Sequence, residues 1–207
     1  MASVNARIVL SFAMAYGGHD FSNWLRARLM THYKLQDPTA VYLDTVASRL
    51  LPLSDNAEPI SFRADKRYES VSRGINPKSG KESGAFIIGA ERKDWNDNFK
   101  TALSQASTMV IVLTASSHAS KWCALEIRQA EDENRKRLRT GKKALKLIVL
   151  DLDVHSSKLI KRIIPHAVIV ETRREIAHHE PLLWDIGAWK ISTTALWRLY
   201  AAIGLTV

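Results

Sequence analysis

Residues 109–126 read MVIVLTASSHASKWCALE, and this stretch decides the fold. Its first five residues are uninterrupted Met, Val, Ile and Leu, the composition of a strand covered on both faces. A polar link of Thr, Ala, Ser and His follows. The chain then turns to Ser120 and a segment carrying Trp122, Leu125, Ile127 and Ala130, which becomes highly charged after Glu131. Serine at a helix start accepts a hydrogen bond from a backbone N–H two or three residues on, so Ser120 marks the entry to a helix over 120–137. A buried strand, a short polar loop and a helix in that order form half of a parallel crossover unit.

Working outward, the same grammar repeats. Residues 8–13 (IVLSFA), 40–43 (AVYL) and 145–152 (LKLIVLDL) are further apolar runs, and 167–170 (AVIV) follows Pro165, which can end a preceding helix. Between them lie amphipathic segments. Residues 19–33 carry Phe21, Trp24, Leu25, Leu29 and His32 at three- and four-residue steps, with Asp20 and Ser22 as start signals. Residues 94–106 place Trp95, Phe99, Ala102, Leu103 and Ala106 on one stripe, and residues 193–203 form a closing helix. Strand–helix alternation implies right-handed crossovers. The expected fold is α/β: a flavodoxin-like three-layer α/β/α sandwich around a central five-stranded parallel sheet, one domain over 1–207. Residues 44–93 break the pattern. They hold Pro52, Pro59 and Pro77 and only short apolar pieces, and are expected to form an expanded insert with a mobile tip at 74–84, where Gly, Ser, Lys and Pro dominate.

With 207 residues the chain buries enough surface to need no staple, and its single cysteine, Cys123, excludes an internal disulfide. No apolar run reaches the roughly 20 residues of a membrane span, and no leader peptide opens the chain, so a cytoplasmic protein with no membrane partner is expected. The net charge of +9 comes largely from Arg135, Lys136, Arg137, Arg139, Lys142, Lys143 and Lys146. Cations at a helix end complement its dipole and form a solvated face. No aromatic residue interleaves them as single-strand binding requires, so nucleic acid is not an expected partner. Such a surface still attracts anionic ligands.

Open parallel sheets bind ligands outside the carboxyl ends of their strands. That rule selects residues 13–18, 44 onward, 114–120 and 151–157. In the third of these, Trp122 and Glu126 stand four residues apart on one helix face. The helix dipole favours a carboxylate near its N-terminus, and an indole beside a carboxylate can hold a sugar. Two plainer roles remain open: Trp122 in the core, and Glu126 in a surface ion-pair network with Lys121 or Arg128. Gly17-Gly18 would let backbone approach phosphate, but no G-x-G-x-x-G fingerprint is present. Asp151 and Asp153 have no third carboxylate nearby. His178-His179-Glu180 are adjacent and point apart, so no metal is expected. Cys123, at a helix start that could lower its pKa, lacks a partnered His or Asn and reads as a packing residue. Zinc spacings, a P-loop and a G-x-S-x-G elbow are absent.

Several strings resemble the Toll/interleukin-1 receptor (TIR) domain family. RIVLSFA (7–13) resembles its first strand and DFSNWLRARL (20–29) its first helix. WNDNFKTALSQASTMVIVLTASSHASKWCALEI (95–127) resembles its next helix, third strand, serine-containing loop and W-C-x-x-E helix. The likeness spans about 6–153 and is most specific over 104–126. The expanded 44–93 segment departs from the family's compact loop, so no residue there inherits a role, and Ser117 and His118 receive none either. The resemblance implies that Glu126 is catalytic in cleaving NAD at the nicotinamide–ribose bond, with Phe12, Ala13, Tyr16 and Trp122 lining the nucleotide cleft, to which the strand-end rule adds Asp44 as a substrate contact. NAD would be substrate, not cofactor.

Breaking that bond passes through an oxocarbenium-like ribose that a carboxylate stabilises, while nicotinamide, already cationic, departs without a general acid. Water would give ADP-ribose, and another nucleophile a cyclic or conjugated product. The competing expectation is a non-catalytic TIR adaptor acting by TIR–TIR association. A nucleoside deoxyribosyltransferase, which uses a glutamate on a related architecture, fits the Trp122–Glu126 motif less well. A chain that starts at Met1 without a fused sensor resembles stand-alone bacterial anti-phage proteins. That likeness implies self-association and, in some members, a separate effector sensing the product.

Overall fold

The apolar runs become strands because alternate residues are claimed by two different helical layers. The computed structural model describes residues 4–13, 18–44, 46–47, 95–114, 117, 120–152, 157–172, 183–186 and 189–205. In chain order the elements are β1 (Ile8–Phe12), α1 (Gly18–His32), β2 (Val41–Tyr42), α2 (Trp95–Gln105), β3 (Thr108–Leu113), α3 (Lys121–Arg139), β4 (Lys146–Asp151), α4 (Ser157–Ile163), β5 (Val168–Glu171), β6 (Leu183–Ile186), β7 (Trp189–Ser192) and α5 (Thr193–Ile203). Five strands form one all-parallel sheet in the order β2-β1-β3-β4-β5. Val9, Met109, Ile111, Leu113, Leu147 and Val149 pack with α2, α3 and α4 on one face. Ile8, Leu10, Val110, Val112, Ile148 and Leu150 pack with α1 and α5 on the other. This is the flavodoxin-like α/β/α sandwich that the sequence predicts. Among the described residues no helix is long and apolar enough to cross a membrane.

Two features were not anticipated. Strands β6 and β7 pair antiparallel as a separate two-stranded sheet, with Leu183 opposite Ser192 and Ile186 opposite Trp189. Ser192 then caps α5, accepting from the Ala195 N–H at 3.0 Å, and Gly204 ends it at φ 61°. The basic run is also not wholly a solvated face. Arg137 is buried, and its guanidinium donates to the Leu103 and Ala106 carbonyls at 2.5 and 2.8 Å and to Glu133 at 2.9 Å. The last carbonyls of a helix have no partner within it, and Arg137 satisfies those at the end of α2. Lys146 does the same for α5 through the Ala202 carbonyl, 2.7 Å away. The insert over 44–93 lies almost entirely outside the described residues.

Candidate active site

The order β2-β1-β3-β4-β5 reverses direction between β1 and β3, and at such a switch point the crevice outside the strand ends is free to hold a ligand. Three segments bring side chains there: the end of β1, the residues after β2, and the first turns of α3. Ser120 caps α3 as its sequence predicts, accepting from the Cys123 N–H at 3.2 Å. Behind it, the Ser117 hydroxyl donates to the Val112 carbonyl at 3.1 Å and accepts from the Thr114 N–H at 3.0 Å. These bonds fix the exit of β3 and so the direction in which α3 starts. Ser117 is buried and structural.

On α3, Glu126 turns inward, and its Oε2 accepts a hydrogen bond of 2.5 Å from the Ser11 hydroxyl on β1. Ser11 is fully buried, at 0% exposure, and pairs in register with Ile111. As a residue Glu126 is half-buried. Burial pushes its pKa up to about 8, opposed by the Ser11 bond and reinforced by the negative charge of Asp44. Asp44, just past β2, is held in turn by the Tyr42 hydroxyl at 2.9 Å. Cys123 lies one turn before Glu126 and is buried, and its thiol is pushed up to about 12, first by burial and then by the Glu126 charge. That overrides the helix-start effect that would lower it, and leaves Cys123 a neutral packing group.

Trp122 is 60% exposed, which removes the core-packing alternative. On the helix it stands one turn from Glu126, open to a ligand. Phe12 and Ala13 end β1, but strand alternation sends Phe12 into the α1 face, opposite to Ser11. Ala13 is buried, and its carbonyl lies 2.0 Å from where a Cβ on Gly18 would stand, so the entry to α1 accepts only glycine. Tyr16, Gly17, His118, Asp153 and 178–180 lie outside the described residues, and so does the 74–84 tip. The structure thus joins Glu126, Asp44 and Cys123, leaves Trp122 at the surface beside them, and adds Ser11, which sequence reasoning missed. The available signal was a lone hydroxyl inside the otherwise apolar run IVLSF. Among the described residues no three metal-type ligands converge.

Chemically, the site offers one destabilised carboxylate, a neutral thiol, and an accessible indole at the switch point of a parallel sheet. An anion held in such surroundings is stabilised by a cation placed against it. Comparison with models of protein families, with curated proteins and with solved structures finds no match to this chain.

Proposed function

We propose that this chain is a TIR-type enzyme that cleaves NAD at the nicotinamide–ribose bond, with Glu126 as the catalytic carboxylate. The observation that carries this reading is the buried Glu126 carboxyl at the β1–β3 switch point, with its pKa raised to about 8. Perturbed carboxyls in clefts mark sites of chemistry. A raised pKa means that the empty site disfavours the anion. A cationic substrate reverses this, and the ribosyl cation formed as the bond breaks reverses it further, so the interaction strengthens toward the transition state. The C1′–N bond breaks with its electron pair going to nicotinamide. Water adds at C1′ and releases a proton, giving ADP-ribose; an intramolecular nucleophile gives a cyclic product instead. Trp122 supplies a surface for the ribose or the nicotinamide ring, and Asp44 adds negative charge.

In this reading the protein works in a bacterial cytoplasm, in anti-phage defence, associates with copies of itself, and passes its product to a separate effector. The exposed Trp122 and Leu125, three residues apart on α3, favour a second reading: a non-catalytic TIR adaptor that acts by association. The experiment is incubation with NAD across a wide protein dilution series, with mass analysis of products and light scattering on the same samples. Release of nicotinamide, with specific activity rising as the protein assembles, supports the enzyme. Assembly with intact NAD at every concentration supports the adaptor.

A further inference from the structure

The hydroxyl of Ser11 interrupts the apolar run of β1, a strand that ends beside Glu126. β1 reads IVLSF, and on β1 and β3 the other positions on the Ser11 side of the sheet are apolar: Val9, Met109, Ile111 and Leu113. A hydroxyl buried there costs stability unless it is hydrogen-bonded. Its partner is Glu126, 115 residues later, at 2.5 Å. Among the described residues Ser11 is in turn the only hydrogen-bond donor to the Glu126 carboxyl. Each group therefore satisfies the other, and Ser11 also lies within hydrogen-bond reach of the Cys123 thiol.

We infer that Ser11 is a positioning residue for Glu126: its hydroxyl fixes Oε2 against the carboxyl end of β1 and leaves Oε1 for the bound ligand. Two consequences follow from the geometry. The bond fixes the side-chain torsions that decide where the carboxylate points. It also donates to the anion, and so works against the two influences that favour the protonated form: burial and the charge of Asp44 beyond β2. Cys123, the other titratable group facing the carboxyl, stays a neutral thiol and adds no charge. Ser11 thereby sets the pH above which Glu126 carries its charge.

The kinetic part of this inference rests on the reading of Glu126 as the catalytic carboxylate; the titration part does not. The test uses the full chain labelled with 13C-carboxyl glutamate, with the Glu126 signal identified by its loss in Glu126→Gln. Ser11→Ala should raise the midpoint of that signal by about one to two pH units, the size of a hydrogen bond to a charged group. Ser11→Thr, which keeps the hydroxyl, should titrate close to the wild type. For nicotinamide release, Ser11→Ala should lower kcat/KM at pH 7 by about 10- to 100-fold, because kcat/KM follows the free-protein titration. It should also move the acid limb of the profile up by the same interval as the titration. Should Ser11→Ala fail to fold, Ser11→Cys, similar in size with a weak donor, reads the same shift. An unshifted Glu126 titration in Ser11→Ala, or in Ser11→Cys where Ser11→Ala does not fold, overturns the inference. If Glu126→Gln still releases nicotinamide, the catalytic reading falls, while the titration still decides the role of Ser11.

Discussion

Two carboxylates at opposite ends of the sheet show how one chemical group serves two purposes. Asp37 lies at the amino end, just before β2. Its Oδ1 accepts from the Thr39 N–H and the Thr39 hydroxyl, both at 2.7 Å, and its Oδ2 accepts from Asn5 at 3.0 Å. Those donors, the Thr39 hydroxyl foremost, hold its pKa below the usual carboxylate range. Glu126, at the carboxyl end, has one donor and a buried setting, and its pKa moves the other way, to about 8. An open cavity of about 310 Å³ borders Asp37, lined also by Asn5, Arg7, Tyr33 and Lys34. The amino end is stitched to hold the β1–β2 edge together, whereas the carboxyl end keeps an anion that the fold does not stabilise. Stability favours the first arrangement, and a site that must respond to a cation needs the second.

The contrast is broken most directly at Glu126. Glu126→Gln should slow nicotinamide release by about 10²–10³, the loss expected when one group that stabilises transition-state charge is removed. Circular dichroism on the same sample should show a folded protein. A variant with full activity would contradict the assignment.

The same substitution should stabilise the fold, by an amount that depends on pH. The carboxyl titrates near 4.5 when unfolded and near 8 when folded, so between those values the folded state binds more protons. Stability attached to this group is full below the unfolded value and is lost as pH rises through the folded one. Glu126→Gln should therefore gain about 1–3 kcal/mol over the wild type at pH 9, discounted for partial exposure, and almost nothing at pH 4. Thermal melts at the two pH values read the difference; equal gains at both would show that the carboxyl is not strained.

Smaller effects sharpen the picture. Trp122→Ala should change stability by no more than about 0.5 kcal/mol, because the ring is mostly exposed, while raising KM for NAD several-fold. A melting-temperature loss of core size would show that the indole is buried in solution. Asp37→Asn should cost about 0.5 kcal/mol at pH 7, where its stabilising bonds are present. That cost should vanish as pH falls through the depressed folded pKa, and nicotinamide release should be unaffected.

The central sheet was legible because its strands are covered on both faces, which leaves unbroken Val, Ile and Leu in runs such as MVIVL. Ser120 was legible because an N-cap is local: its partner, Cys123, is three residues away. The hairpin β6–β7 was not read, although its two strands are separated only by Gly187-Ala188, a glycine-first pair typical of tight hairpins. Its alternating Trp, Asp and Lys resemble neither a buried strand nor an amphipathic helix. Arg137 vanished into its basic run because the carbonyls it caps lie 31 and 34 residues earlier. Ser11 escaped for the same reason at greater range, since pairings made through space leave no spacing to detect. The exposure of Trp122 also had to come from structure, because helical spacing places a side chain on a face without saying what covers it.

The pH dependence of nicotinamide release, measured from pH 5 to 9 for the wild type and Glu126→Gln, tests the central claim most directly. For the wild type, kcat/KM should rise with pH to a plateau, with a midpoint near the folded value of about 8, because kcat/KM reports the free enzyme. The midpoint for kcat should lie lower, because the bound cation favours the Glu126 anion. Glu126→Gln should show only a residual rate without that rise. A wild-type profile that is flat or falls over this range, or a Glu126→Gln protein that matches it, would contradict the account.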